Sequence, residues 1–322
     1  MRGVTGPDEL TDYLAQLGVD HRKYRVHPSM YLAVGDALMA TLRAFAGSAF
    51  TPMVRQAWMT AYEAAAMVMI TAAEEASARE PAYWTAEVVA HEKRADRIAV
   101  LTVEPDQPLP YQAGQYVTVQ TERWSRVWRP YSIACRPRDD GLLMFHVKAI
   151  PGGWVSSALV DHTRVGDRIT LDPAIGRMSL TLAARRDLIC VAGGTGLAPL
   201  KAIVEQVAFA EAGQRSRRHI LLFWGARSEA EFYDLKDLWQ LTESYPLLRV
   251  YPVASADHDY RGNVGRVASR YLPNAECEAY VAGPAEMVRQ TLAVLTKAGQ
   301  PIERIHFDKA LLAQQPRTGS GT

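Results

Sequence analysis

Arg129-Pro130-Tyr131-Ser132 packs a guanidinium, a phenol and a hydroxyl into four residues, just behind Trp124 and Trp128. On an extended chain Arg129 and Tyr131 share one face and Ser132 turns to the other. The guanidinium is a planar fork suited to phosphate, the phenol a flat ring with a polar tip, and the hydroxyl donates or accepts. Together they could hold a flavin by its phosphate, its ring and its reactive nitrogen; taken alone, the same residues also describe an edge strand. Two glycine-rich segments follow. Gly152-Gly153-Trp154-Val155-Ser156 reads either as a helix start whose bare N–H groups and hydroxyl bind an anion, or as a simple glycine turn with a cap. Gly193-Gly194-Thr195-Gly196 joins an apolar run to a helical one, where backbone can approach a pyrophosphate and the helix dipole favours its charge. It is not the usual dinucleotide fingerprint. Arg227, after Gly225-Ala226, could take a 2′-phosphate or pack on adenine, and Gly283-Pro284 closes the last apolar run.

Such groups need strands to aim them. Glu87 to Val103 and Gly114 to Gln120 read as strands, with Val88, Ile98, Val100, Val117 and Val119 as the apolar positions. Leu142 to Ile150 and Arg168 to Leu171 continue an antiparallel barrel, broken by turns such as Asp139-Asp140-Gly141. From Asp187 the pattern changes to strand–helix alternation. Leu188 to Ala192, His219 to Trp224, Arg249 to Val253 and Glu278 to Ala282 are the strands of a parallel sheet, with helices after Pro199 and over Ala285 to Lys297. Glycines recur at the carboxyl ends of these strands, where open α/β sheets bind ligands.

Pro7 to Ala78 reads as all-helical. A first helix with Leu10, Tyr13, Leu14 and Leu17 on one face is expected to end at Gly18. A second, after Pro28, points Tyr31, Val34, Leu38 and Leu42 inward and stops at Gly47. Thr51-Pro52 is a cap and first-turn proline for a third, with Val54, Ala57, Trp58, Ala61, Tyr62, Ala65 and Met69 inward. The chain is therefore expected to be multidomain: a helical segment over 1–80, a β-barrel over 84–183, an α/β domain over 184–312 and a disordered tail over 313–322.

Composition narrows the function. With 322 residues, a formal net charge of +1, 48% hydrophobic and 22% charged residues, the chain suits two or three soluble domains. Neither nucleic acid nor an anionic membrane is the expected partner. Cys135, Cys190 and Cys277 lack metal-ligand spacing and are odd in number, which suggests a reducing cytoplasm. The first 30 residues are too charged for a secretory signal, and no stretch has the apolarity of a membrane span. Nothing in the sequence sets the oligomeric state.

His21, Pro28, Tyr31, Val34-Gly35, Phe50-Thr51-Pro52, Ala57-Trp58 and Ala61-Tyr62 resemble the second half of the globin domain in flavohaemoglobins. The resemblance implies that His21 ligates the iron of haem b, with Tyr31 supporting it through a hydrogen bond that fixes the imidazole. The family's third partner, a late glutamate, falls on Ala73, with Glu74 one step away. The family's distal helices have no counterpart in residues 1–80, so the expectation is a late start or a truncated relative. The ordered set from Arg129 to Met287 resembles the ferredoxin-reductase superfamily over residues 84–310. That resemblance implies that Tyr131 and Ser132 contact the isoalloxazine and that Arg129 and the Gly152–Ser156 segment bind FAD phosphates. It also implies that Gly193–Gly196 and Gly283-Pro284 receive NAD(P)H. Ala282 stands where many members have cysteine. The usual terminal aromatic falls on Ala310, with Phe307 nearby. Together the resemblances imply an NAD(P)H-dependent FAD oxidoreductase that passes electrons singly to haem iron and turns nitric oxide and dioxygen into nitrate, impaired by the missing distal half. The alternatives are an NAD(P)H-flavin reductase serving a separate electron acceptor, and a haem or gas sensor.

Overall fold

The computed structural model describes residues 6–180, 185–214, 217–254, 264–272 and 276–309. The chain divides into two units, Met1–Tyr83 and Trp84–Thr322. Ala310 and the tail over 313–322 lie outside the described residues, as do residues 181–184 at the expected boundary between barrel and sheet domains.

The first unit is three helices, α1 (Pro7–His21), α2 (Pro28–Ala46) and α3 (Pro52–Ser77). Each begins with a proline in its first turn, where the missing N–H costs nothing. Thr51 Oγ1 accepts the Val54 N–H at 3.3 Å, and Gly47 ends α2 at φ +54°. Gly18 does not end α1. It is buried within the last turn, where a Cβ would lie 2.1 Å from the Met69 carbonyl oxygen, so this glycine lets α1 and α3 touch backbone to backbone. Gly35 does the same for α2 against the Tyr62 ring. The expected inward faces need correction too. Met39, Ala66, Met69 and Ala76 are buried, but Val34 and Trp58 are 57% and 47% exposed, and Ala57 and Ala61 are exposed as well. Helix α3 packs on α1 and, less closely, on α2, and the apolar stripes extend beyond these two contacts.

The second unit opens with a six-stranded antiparallel barrel: β1 (Trp84–Ala95), β2 (Ile98–Pro105), β3 (Tyr116–Thr121), β4 (Arg129–Ser132), β5 (Leu143–Lys148) and β6 (Arg168–Leu171). The run expected as one strand from Glu87 to Val103 is a hairpin that turns at Asp96-Arg97. The order is β4-β3-β6-β1-β2-β5, and a bridge between Ile133 and Phe145 joins the two ends. Inward residues alternate along each strand, so that Val88, Leu101, Val117, Val119, Phe145 and Leu171 fill the interior.

A parallel sheet follows, with β7 (Leu188–Gly193), β8 (Ile220–Ala226), β9 (Leu248–Ala254), β10 (Glu278–Ala282) and the two-residue β11 (Ile305–His306) in the order β11-β10-β7-β8-β9. Its neighbouring strands β7 and β8 are apolar throughout because helices cover both faces. On one side are α5 (Leu197–Ala210) and α6 (Leu235–Ser244), and on the other α7 (Val264–Ser269) and α8 (Ala285–Lys297). Ile98, Val100 and Met178 from the barrel domain join the α5 core, so barrel and sheet share apolar packing. No helix among the described residues is long and apolar enough to cross a membrane. The three cysteines are buried and unpaired, and burial pushes the Cys190 thiol up to about 12.

Candidate functional site

A cleft of about 690 Å³ opens between the barrel and the carboxyl ends of the parallel strands. It is lined from the barrel by Tyr131 and Ser132 and from the sheet by Gly193–Gly196, Arg227 and Gly283-Pro284. Residues expected from three separated motifs therefore face one space. Strand β4 reaches it through its pairing with β3, which sets Tyr131 opposite Val117 and Ser132 opposite Tyr116. Burial pushes the Tyr131 phenol above its ordinary range, so it stays protonated. Arg129 stands at the exposed start of β4, and its guanidinium donates to the Trp128 carbonyl at 2.9 Å.

The Gly152–Ser156 segment lies to one side. Its helix, α4 (Trp154–Ser157), is a single turn that runs into a wide turn over Ala158–His162. Val155 is in the barrel core, and Trp154 is exposed and stacked on Trp124 with centroids 4.8 Å apart. Ser156 Oγ donates to the Gly153 carbonyl and accepts the Ile150 N–H, both at 3.3 Å. The hydroxyl expected for phosphate thus closes its own turn, while Gly152, at φ +70°, has open space where a Cβ would be.

The glycines of the sheet side do different jobs. Gly193 packs on Met287 and Pro284, and Gly196 on the backbone of Ala282 and Gly283; both positions are set by close packing. Gly194 has φ +54°, and a Cβ there would find nothing within 4 Å, so it forms an open cradle in a backbone conformation that glycine adopts without strain. Gly194 thus leaves open the space that a nucleotide pyrophosphate would need, and Tyr131, Ser132 and Gly176 line the barrel side of the same cleft.

Several residues of the site were not visible in the motifs. His146 and Lys148 lie on the outer face of β5 and line the cleft, facing the segment that follows β8. Lys148 pairs with Glu231 at 3.1 Å, and His146 Nδ1 and the Tyr233 hydroxyl are 2.9 Å apart. Beneath them Lys201 Nζ meets Asp234 at 2.7 Å and Asp237 at 3.3 Å, and Arg94 pairs with both aspartates. Burial pulls the Lys201 amine down; Asp234, with Glu205 and Asp237, outweighs it and raises the amine above its usual value. Burial, then Lys201 and Arg94, hold the His146 imidazole well below 6.5 and therefore neutral. Alternation along β5, with Phe145 and Val147 inward, was the one signal that could have placed His146 and Lys148 together on the opposite face.

In the first unit His21 sits in the last turn of α1. Its Nδ1 is 2.5 Å from the Leu17 carbonyl, so the bond that orients the imidazole comes from its own helix and not from Tyr31. The Tyr31 ring stands beside it, tilted 39° with centroids 6.3 Å apart, and the Tyr31 carbonyl accepts the Tyr62 hydroxyl at 2.6 Å. Ala73 is half-buried and Glu74 exposed. With Nδ1 occupied, Nε2 is the nitrogen available to iron, so His21 fits a haem ligand. The described helices do not fit an enclosed haem: Leu32 and Phe45 are 74% and 89% exposed, and a globin pocket needs walls on both faces.

Three family models match the chain in order: a globin model over residues 4–69, an oxidoreductase FAD-binding domain over 85–180 and an oxidoreductase NAD-binding domain over 190–292. The chain is 32% identical over 226 residues to the ferredoxin–NAD(P)+ reductase component of the naphthalene 1,2-dioxygenase system of Pseudomonas putida, a match covering 69% of this chain and 67% of that one. It is 33% identical over 233 residues to the electron transfer component of the xylene/toluene monooxygenase of the same species, covering 70% of this chain and 65% of that one. The chain thus spans about two thirds of the length of these relatives. Among solved structures, a cytochrome P450 reductase from Amycolatopsis matches with a TM-score of 0.63 at 30% identity, over 70% of this chain and 68% of that one. A flavohaemoglobin from Malassezia yamatoensis matches with a TM-score of 0.72 at 20% identity, over 95% of this chain and 80% of that one.

Proposed function

The chain belongs to the ferredoxin-reductase-type flavoproteins, with an FAD-binding and an NAD-binding domain behind a globin segment, and on that premise we propose that it is an NAD(P)H-dependent flavin reductase that serves a separate electron acceptor. The observation that carries this reading is the shared cleft, in which Tyr131 and Ser132 face Gly193–Gly196. The bound nicotinamide would supply electrons in pairs and the flavin would release them singly. The chain's part is placement. Tyr131 gives the flavin ring an apolar face, Ser132 a hydroxyl within reach of its polar edge, and Arg129 a charge for its phosphates. Gly194 and Thr195 would leave room for the nucleotide pyrophosphate, and Arg227, which lines the same cleft, would meet its adenosine end. Both P. putida relatives are described as electron-transfer or reductase components of oxygenase systems, which supports an external acceptor. The test is an absorption spectrum and a turnover assay on purified protein. Flavin bands with NADH- or NADPH-driven reduction of a one-electron acceptor, and no haem band, are expected; flavin-free protein would overturn the reading.

A second reading rests on His21, whose imidazole is held by Leu17 as an iron ligand needs. On it the globin segment takes up haem b and the net reaction is that of a nitric oxide dioxygenase. The exposed faces of α2 and α3 favour the first reading.

A further inference from the structure

The nucleotide turn does not hold its shape by glycine chemistry alone. The Trp224 indole N–H donates to the Gly194 carbonyl at 2.9 Å, and the Leu197 N–H at the start of α5 is directed at the same oxygen. A trans peptide is planar with its C=O and N–H opposed, so pinning this carbonyl towards the buried indole turns the Thr195 N–H away from it. Thr195 lines the cleft. Trp224 is fully buried and meets Tyr233 edge to face, with centroids 5.3 Å apart and planes at 89°. The Tyr233 hydroxyl then bonds His146 Nδ1 on β5, and those two rings also meet edge to face at 5.3 Å. Gly194, Trp224, Tyr233 and His146 therefore form one continuous set of contacts from the nucleotide turn to the flavin barrel.

We propose that Trp224 is a positioning residue for the nicotinamide nucleotide: it fixes the Gly194 turn and, through Tyr233, ties that turn to His146 on the barrel strand beside the flavin. The inference rests on the reading of Gly193–Gly196 as the nucleotide site. Trp224→Phe would keep an aromatic ring in the core and delete the indole donor. The Gly194 carbonyl would then keep only the Leu197 N–H, and the turn would lose one of the two contacts that hold it. Tyr233→Phe removes the hydrogen bond to His146 and leaves the edge-to-face packing.

The experiment uses the FAD-loaded protein, with NAD+ titrated against flavin fluorescence and KM and kcat measured with NADH. In Trp224→Phe, NAD+ should bind about ten-fold more weakly and KM should rise while kcat and flavin content hold, the loss expected for one buried hydrogen bond. Tyr233→Phe should shift affinity in the same direction by less, and the double variant should lose less than the product of the two effects, because the contacts lie in series. Fully multiplicative effects would sever the tie to the barrel and overturn the proposal. So would unchanged NAD+ affinity in Trp224→Phe if Gly194→Val no longer binds. If Gly194→Val also binds NAD+ as the parent does, the nucleotide site itself is misplaced and the functional reading falls with it. A drop in melting temperature with parental affinity would mark Trp224 as packing alone and equally overturn the proposal.

Discussion

A Cβ placed on Gly196 would lie 2.4 Å from the carbonyl oxygen of Ala282, so the turn after β7 and the end of β10 meet backbone to backbone. Two neighbouring glycines should therefore fail differently. Gly196→Ala must push the strand ends apart and should lower the melting temperature and the yield of folded protein. Gly194→Val meets nothing, but its φ of +54° strains a β-branched residue by about 1–2 kcal/mol or more. It should fold, keep its flavin spectrum and lose reduction by NADH. Loss of flavin and NADH reduction together in Gly194→Val would point to a folding defect instead.

Arg129→Ala should weaken FAD about ten-fold or more, because a charge-assisted phosphate contact contributes about 1.5–3 kcal/mol. Arg129 is exposed and its guanidinium donates to the neighbouring Trp128 carbonyl, so little folding energy is at stake. Titrating the deflavinated protein with FAD measures this directly, and parental affinity would remove Arg129 from the flavin site.

His146 should make the protein less stable in mild acid. Lys201 from α5 and Arg94 from β1 join burial in holding its imidazole well below 6.5, against Asp237 from α6. The unfolded chain, titrating near 6.5, binds the extra proton first. Stability is therefore complete above that pH and falls below it, by up to about 1.4 kcal/mol per pH unit until the folded value is reached. Urea midpoints taken over about pH 7 to 5 should show this slope, and His146→Gln should flatten it. An equal slope in the variant would assign the acid sensitivity elsewhere.

The globin segment should be dispensable for flavin reduction. His21→Ala is expected to leave NADH-driven reduction of an artificial one-electron acceptor unchanged, and the parent should carry little haem, since Leu32 and Phe45 lie open. A full Soret band and rapid nitric oxide removal, both abolished by His21→Ala, would show that the helices enclose haem after all.

The parts of this site legible in the sequence are those that chemistry restricts to one residue type. Gly194 needs a residue tolerant of positive φ, whereas Tyr131 and Ser132, expected on opposite faces of β4, both line the cleft because burial along this short strand does not alternate. Gly18 shows the limit of such reading. A glycine near the expected end of an amphipathic helix suggests a cap, yet here the missing side chain serves a helix crossing, and only the partner backbone at Met69 reveals it. Val34 and Trp58 have helical periodicity, which reports that a face is apolar and not what covers it. Tyr233 and His146 lie 87 residues apart, and no local pattern pairs them.

The short stretch from Glu231 to Asp237 answers to three residues of the barrel, and this has a consequence for how such chains are recombined. A crossover between the FAD-binding and NAD-binding domains would separate Arg94, His146 and Lys148 from partners 140, 87 and 83 residues downstream. A chimera inheriting Arg94 without Asp234 and Asp237 would strip a largely buried guanidinium of two counter-charges, the costliest way to lose an ion pair. Exchange of the whole two-domain block carries all the partners along. Grafts made between the FAD-binding and NAD-binding domains should express poorly, and exchange of the two domains as a single cassette should restore the yield.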